Sequence, residues 1–110
     1  MPNIFSSSDL KTTRAGAVNL TTLANRDTLG VDALQVERVQ IAPGARTEPA
    51  SVSAAEYFLY VIRGAGRAQV GDQTFPLEAE SVLWLESGDT FWLEAGHESL
   101  EVLLCRAPAL

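Results

Sequence analysis

The sequence predicts an all-β fold, a sandwich or barrel of short strands. Three observations carry this. Glycine punctuates the second half at regular intervals, at Gly64 and Gly66, at Gly71 with Asp72, at Gly88 with Asp89, and at Gly96. Between those marks lie short segments rich in Val, Leu, Phe and Trp, the residue types that suit a pleated, half-buried surface. No run of ten or more residues carries an apolar stripe at helical spacing.

Residues 1–30 are rich in Ser, Thr, Asn and Asp, with isolated hydrophobes at Ile4, Phe5, Leu10, Val18, Leu20, Leu23 and Leu29. They read as an irregular lead-in that adds one short strand around Ala17 to Leu20, or a helical turn near Leu23. Residues 31–110 form the barrel domain. In "DALQVERVQIAPG" the apolar pairs Leu34/Val36 and Val39/Ile41 are out of phase by one residue, so a bulge at Glu37 and Arg38 is expected to keep both on the core side. Pro43 and Gly44 end that strand. The run Tyr57 to Ile62 is a buried strand ending at Gly64 and Gly66. "QVGDQT" is a hairpin signal, since a Gly in the first position of a two-residue loop suits a type II′ turn. "SVLWLE", "TFWLE" and "SLEVLLCRA" follow as strands.

Several of these strands are apolar on both faces: Val82 and Trp84 oppose Leu83 and Leu85, and Val102 and Leu104 oppose Leu103 and Cys105. A sheet with one face in water alternates apolar with polar residues, so a second cover is needed. A homodimer burying one outer face is the expected cover.

The 110 residues make one domain, enough to bury roughly two thirds of the unfolded surface. The formal net charge is -6 and the eight Lys and Arg are scattered, so a phosphate backbone would be repelled and no nucleic-acid partner is expected. No apolar run approaches the ~20 residues of a membrane span, and "MPNIFSSSDL" lacks the basic and apolar regions of a secretory signal. The expectation is a soluble cytoplasmic protein with no membrane partner. Cys105 is the only cysteine, which excludes an internal disulfide, and it reads as a small hydrophobe of the core.

The order of these elements resembles a small single-domain cupin, a double-stranded β-helix or jelly roll. "VERVQIAPGA" resembles the first strand and its Pro-Gly turn. "EYFLYVIRGAGRAQVGDQTFPLEAES" resembles the first motif and its hairpin, "SVLWLESGDTFWLEA" the second motif, and "SLEVLLCRAP" the last strand, together covering about residues 34–108. In metal-binding cupins the first motif supplies two histidines one residue apart and a glutamate four positions on, and the second motif a third histidine. Counting back from Gly64, those positions fall on Ser51, Ser53 and Tyr57. Counting forward from Gly44, they fall on Ala50, Val52 and Glu56. The second-motif ligand falls near Phe91. Neither register contains a histidine, and no metal or other cofactor is expected. An atypical route through Glu48, Glu56 and one more oxygen would suit a hard ion weakly.

In the Gly64 register, Ser51, Ser53 and Tyr57 face the barrel interior, where hydroxyls leave room and set a ligand's orientation, while Leu59, Trp84 and Phe91 supply apolar wall. Arg46 is the cation best placed to reach over the pocket mouth. Glu56 and Tyr57 are adjacent, so only one can face inward; an inward Glu56 would need Arg46 or Arg63 as partner. His97, the only histidine, reads as a solvated loop residue, and Glu86 and Asp89 as turn chemistry. The leading expectation is therefore a metal-free cupin-domain protein binding a small, largely apolar molecule. The alternatives are a metal-independent isomerase, cyclase or lyase using Glu56 or Tyr57, and a metal-dependent dioxygenase-like cupin with atypical ligands.

Overall fold

The computed structural model describes residues 10, 12–24 and 33–108. Ile4, Phe5 and Leu29 lie outside the described residues. The elements are β1 (Thr12–Ala15), β2 (Val18–Ala24), β3 (Gln35–Ile41), β4 (Ala50–Ser51), β5 (Glu56–Arg63), β6 (Gly66–Val70), β7 (Gln73–Leu77), β8 (Val82–Leu85), β9 (Thr90–Ala95) and β10 (Leu100–Ala107). They form a six-stranded sheet of order β1-β2-β3-β10-β5-β8 and a four-stranded sheet of order β4-β9-β6-β7. Every strand pairing among the described residues is antiparallel. The fold is all-β, as the glycine punctuation predicts, and no helix among the described residues is long and apolar enough to cross a membrane.

Strand alternation sorts the side chains into an interior and an exterior set. Val39 and Ile41 of β3, Leu59 and Val61 of β5, Leu85 of β8, and Leu100 and Val102 of β10 are buried from the six-stranded sheet. Ala68, Leu77, Phe91, Leu93 and Ala95 meet them from the four-stranded sheet, and the two sets form one core cluster. Burying each large aliphatic or aromatic side chain contributes on the order of 1.5–3 kcal/mol, and this interior is the main stabilising term.

Two glycines are fixed by geometry. Gly71 takes φ 56°, which a type II′ turn requires at its first central position, and the β6–β7 hairpin closes there with Val70 opposite Gln73. At Gly66, a Cβ would collide with the backbone carbonyl of Glu94 on β9, so only glycine permits the two strands to approach as they do.

Three sequence expectations need correction. The strand expected around Ala17 to Leu20 is present within β2, but it is longer and has a second strand, β1, beside it in a hairpin, so Leu23 lies in β2 and not in a helical turn. β3 is not bulged: it pairs without interruption to β10, from Leu100 opposite Ile41 to Arg106 opposite Gln35. The irregularity falls on β2, between Thr22 and Ala24. With β3 regular, Val36 faces outward and Glu37 inward, because a continuous partner strand imposes one phase on the whole segment. Cys105 is half-buried on the outer face of β10, opposite Phe58 and Val36, and burial pushes its thiol up from the ordinary range.

Of the two-faced strands, β8 has its outer apolar residues in the open, whereas Leu103 and Cys105 on the outer face of β10 are half-buried. Val82 and Trp84 of the edge strand β8 are 58% and 56% exposed, and Phe58 of β5 meets Trp84 edge-on at 6.4 Å between ring centroids.

Candidate functional site

The site is built where β4, β5 and β9 converge on the interior. Residues 44–47 run beside the end of β9: Gly44 N donates to Gly96 O at 2.9 Å, Ala95 N to Ala45 O at 2.9 Å, and Thr47 N to Leu93 O at 2.8 Å. The Thr47 hydroxyl accepts a further bond from Leu93 N at 2.9 Å. β4 continues the pairing, with Ala50 opposite Phe91 and Ser51 opposite Thr90. Val52 N then donates to Asp89 O, and Gly88 N to Val52 O, both at 2.8 Å.

Cross-strand partners share a face, so Ala50 lies on the inner side with Phe91, and Ser51 on the outer side with Thr90. Val52 is buried at 2% exposure. Ser53 and Ala54 are exposed, and Ala54 takes φ 53°. This left-handed residue breaks the alternation, so that β5 starts with Glu56 exposed and Tyr57 turned inward. Both counts made from the sequence are therefore right for their nearer half. Gly44 sets the inward pair at Ala50 and Val52, Gly64 sets Tyr57, and the link between them holds one residue more than a single count allows.

The proposed site residues separate accordingly. Ser51 and Ser53 do not face the interior; Ser51 Oγ lies 3.2 Å from Thr90 Oγ1 on the exposed outer surface. Trp84 is not an interior wall, since β8 turns Leu83 and Leu85 inward opposite Leu59 and Tyr57. Glu56 is outside as well and borders a separate open groove with Glu86, Ser87 and Pro108. Neither arginine considered for Glu56 pairs with it: Arg46 pairs with Glu94 at 2.9 Å and Arg63 with Glu101 at 3.2 Å. Leu59 is buried core. Tyr57 and Phe91 do come together inside, edge to face at 5.8 Å between centroids. His97 is exposed in the β9–β10 turn. Asp89 serves its own turn, its Oδ2 accepting from Glu86 N at 2.8 Å.

Next to Phe91 lies an interior cavity of about 300 Å³. Val18, Leu20, Val39 and Leu104 wall it from the six-stranded sheet, and Ala50, Phe91 and Leu93 from the other, with Thr47 and Glu48 at its edge. A groove of about 480 Å³ lined by Thr13, Gly16 and Arg46 shares Val18, Leu20, Thr47 and Glu48 with it, so the two form one depression. Sequence reasoning missed Val18, Leu20, Ala50 and Leu104 as site residues. The spacing of Val18 and Leu20, and of Ala50 and Val52, is the period-two signal that marks them.

Arg46 stands at the mouth in a charged cluster on the outer face of the four-stranded sheet. Its guanidinium stacks 3.8 Å from the Trp92 ring centroid, and Arg67 lies 5.5 Å from the same ring. Glu94 accepts from both arginines, at 2.9 Å from Arg46 Nη2 and 2.7 Å from Arg67 Nε. The hydrogen bond from Arg46, opposed by partial desolvation and aided by Arg67, holds the Glu94 carboxyl below its usual range.

The inward positions that the sequence resemblance assigns to ligands are occupied by Ala50, Val52, Tyr57 and Phe91. The Tyr57 hydroxyl is the only heteroatom among these side chains, so they do not fit a transition-metal ion. Among the described residues no group of three or more His, Cys, Asp or Glu could hold one.

No protein-family model and no curated protein matches the sequence. Solved structures do. A protein described as a predicted oxalate decarboxylase from Thermotoga maritima aligns at TM-score 0.86 and 19% identity over 96% of this chain and 99% of its own. The polyketide cyclase RemF from Streptomyces resistomycificus aligns at 0.84 and 19% over 100% and 81%. A cupin-2 domain from Rhodospirillum rubrum aligns at 0.81 and 12% over 97% and 75%. Likeness at such identities speaks for architecture, and with the two-sheet antiparallel topology it establishes that the chain adopts the cupin fold, a double-stranded β-helix.

Proposed function

We propose that this protein binds a small, largely apolar organic molecule in the interior cavity without a metal ion. The observation that carries the reading is the replacement of coordinating groups by wall: Ala50 and Phe91, at two of the four inward positions, line an apolar depression open to solvent at its mouth instead of presenting donors to it. Affinity in such a space comes from burying the ligand's apolar surface, and Thr47 and Glu48 at the rim provide the polar contacts that orient it.

A second reading, a metal-independent isomerase, cyclase or lyase, is favoured by one detail. Tyr57 is inward and its hydroxyl makes no hydrogen bond with a described residue, so it is available to a bound substrate. Glu56 drops out of that role because it faces away from the cavity.

The test uses N-phenyl-1-naphthylamine, an uncharged dye that fluoresces in apolar surroundings. The wild type is expected to bind it saturably, the cavity-filling Ala50→Phe variant to lose it, and Trp84→Ser, altered only on the outer face, to keep it. Tyr57→Phe is expected to retain dye binding, and a loss of turnover in that variant alone supports the enzymatic reading. Purified protein is expected to hold only substoichiometric transition metal by elemental analysis. Dye binding that survives Ala50→Phe, or a stoichiometric metal ion, defeats the proposal.

A further inference from the structure

We infer that the molecule received by this cavity is a monocarboxylic acid, and that Arg106 is the residue that binds its carboxylate. The inference rests on the cavity reading above and adds the chemical class of the ligand. Along β10 the inward series is Leu100, Val102, Leu104 and Arg106; the first two are fully buried and Leu104 lines the cavity. Arg106 is the next member of that series. It lies opposite Gln35 on β3 and Tyr57 on β5, both on the same inner face. Successive same-face residues of a strand are about 7 Å apart, a distance an arginine side chain spans, so the guanidinium can serve a ligand seated against Leu104.

The second observation is electrostatic. Arg106 Nε is buried and makes no hydrogen bond among the described residues. A carboxylate on the inner face of β3, Glu37, lies level with Leu104, and no ion pair joins it to Arg106. A buried guanidinium donor without an acceptor is costly, and a carboxylate is the ligand group whose geometry matches its fork of N–H donors. The neighbouring Tyr57 hydroxyl and Gln35 amide supply further polar contacts at this end, and Phe91 fixes the Tyr57 ring. Beyond them the cavity wall is largely apolar, and Arg46 at the mouth is already paired with Glu94, so the rest of the ligand is an uncharged apolar body.

Displacement of the bound dye by phenylacetate and by its uncharged counterpart phenylacetamide tests this. The acid is expected to displace at concentrations at least about tenfold lower than the amide, and Arg106→Gln to bring the two together while the dye still binds. If the wild type binds the dye and acid and amide act alike, or neither acts, the carboxylate inference fails and the cavity reading stands. Should the wild type bind no dye, both fail. If Arg106→Gln does not fold, the ¹⁵N-detected Nε–H resonance of Arg106 in the wild type, assigned with Arg106→Lys, decides. A shift with phenylacetate and not with phenylacetamide supports the inference, and an unmoved resonance overturns it.

Discussion

Phe91 offers the most direct test of the register that defines the site. It is 5% exposed, it lies opposite Ala50, and its ring meets Tyr57 at 5.8 Å. Replacing a buried Phe by Ala typically costs about 3–5 kcal/mol, of which an aromatic edge contact accounts for roughly 0.5–1.5 kcal/mol. Here the cost belongs in the upper part of that range. The ring already borders a cavity of about 300 Å³, so its removal enlarges a space whose walls are pinned to two sheets and cannot collapse inward. Against a total stability on the order of 5–15 kcal/mol, Phe91→Ala removes about a quarter or more. With a urea m-value of about 2 kcal/mol/M, the midpoint of equilibrium unfolding falls by about 2 M while the slope is unchanged. Trp84→Ala, at a half-exposed outer site, is the comparison and costs about 1 kcal/mol or less. A loss below about 1 kcal/mol for Phe91→Ala would refute the reasoning, because it would mean that Phe91 does not face the packed interior.

Two further outcomes follow from named contacts. Gly66→Ala drives a methyl group into the backbone carbonyl of Glu94, which cannot rotate aside, so thermal unfolding of this variant comes well below that of Gly71→Ala, where a Cβ meets open space and the cost is the left-handed φ alone; equal melting temperatures would contradict the close approach of β6 and β9. Glu94→Gln removes a carboxylate whose pKa is lowered by Arg46 and Arg67, so the stabilisation in the wild type is fully present above the ordinary carboxylate range and is lost as pH falls through the lowered value. Urea midpoints for the two proteins should converge toward acid pH, and their gap should shrink in high salt because the cluster faces solvent; a gap independent of both pH and salt would rule the ion pairs out as its source.

Strand positions were legible because local chemistry decides them. Glycine punctuation, the Gly71–Asp72 turn and the β-branched and aromatic runs each map onto an observed element. What the sequence could not display was phase. Val36 turns outward because β10 pairs continuously with β3, a constraint exerted by residues about seventy positions away. Trp84 looked like cavity wall by size, yet the pairing of Leu85 with Tyr57 sends it to the outer face. Val18 and Leu20 looked isolated in a polar lead-in until β2 brought them against Ala50 and Leu93 around the cavity. The serines were misplaced for the most local reason of all: Ala54 sits at positive φ without being Gly or Asn, the residues that normally advertise that conformation.

That alanine makes the chain on its two sides independent clocks. Upstream, the hydrogen bonds of residues 44–52 to β9 and its preceding turn keep one beat; downstream, β10 and β8 keep another. Shortening the link by one residue forces one clock to be reset, and if the upstream half yields, Ser51 and Ser53 rotate in as Ala50 and Val52 rotate out. A single codon thus separates a greasy chamber from a hydroxylated one on an unchanged scaffold.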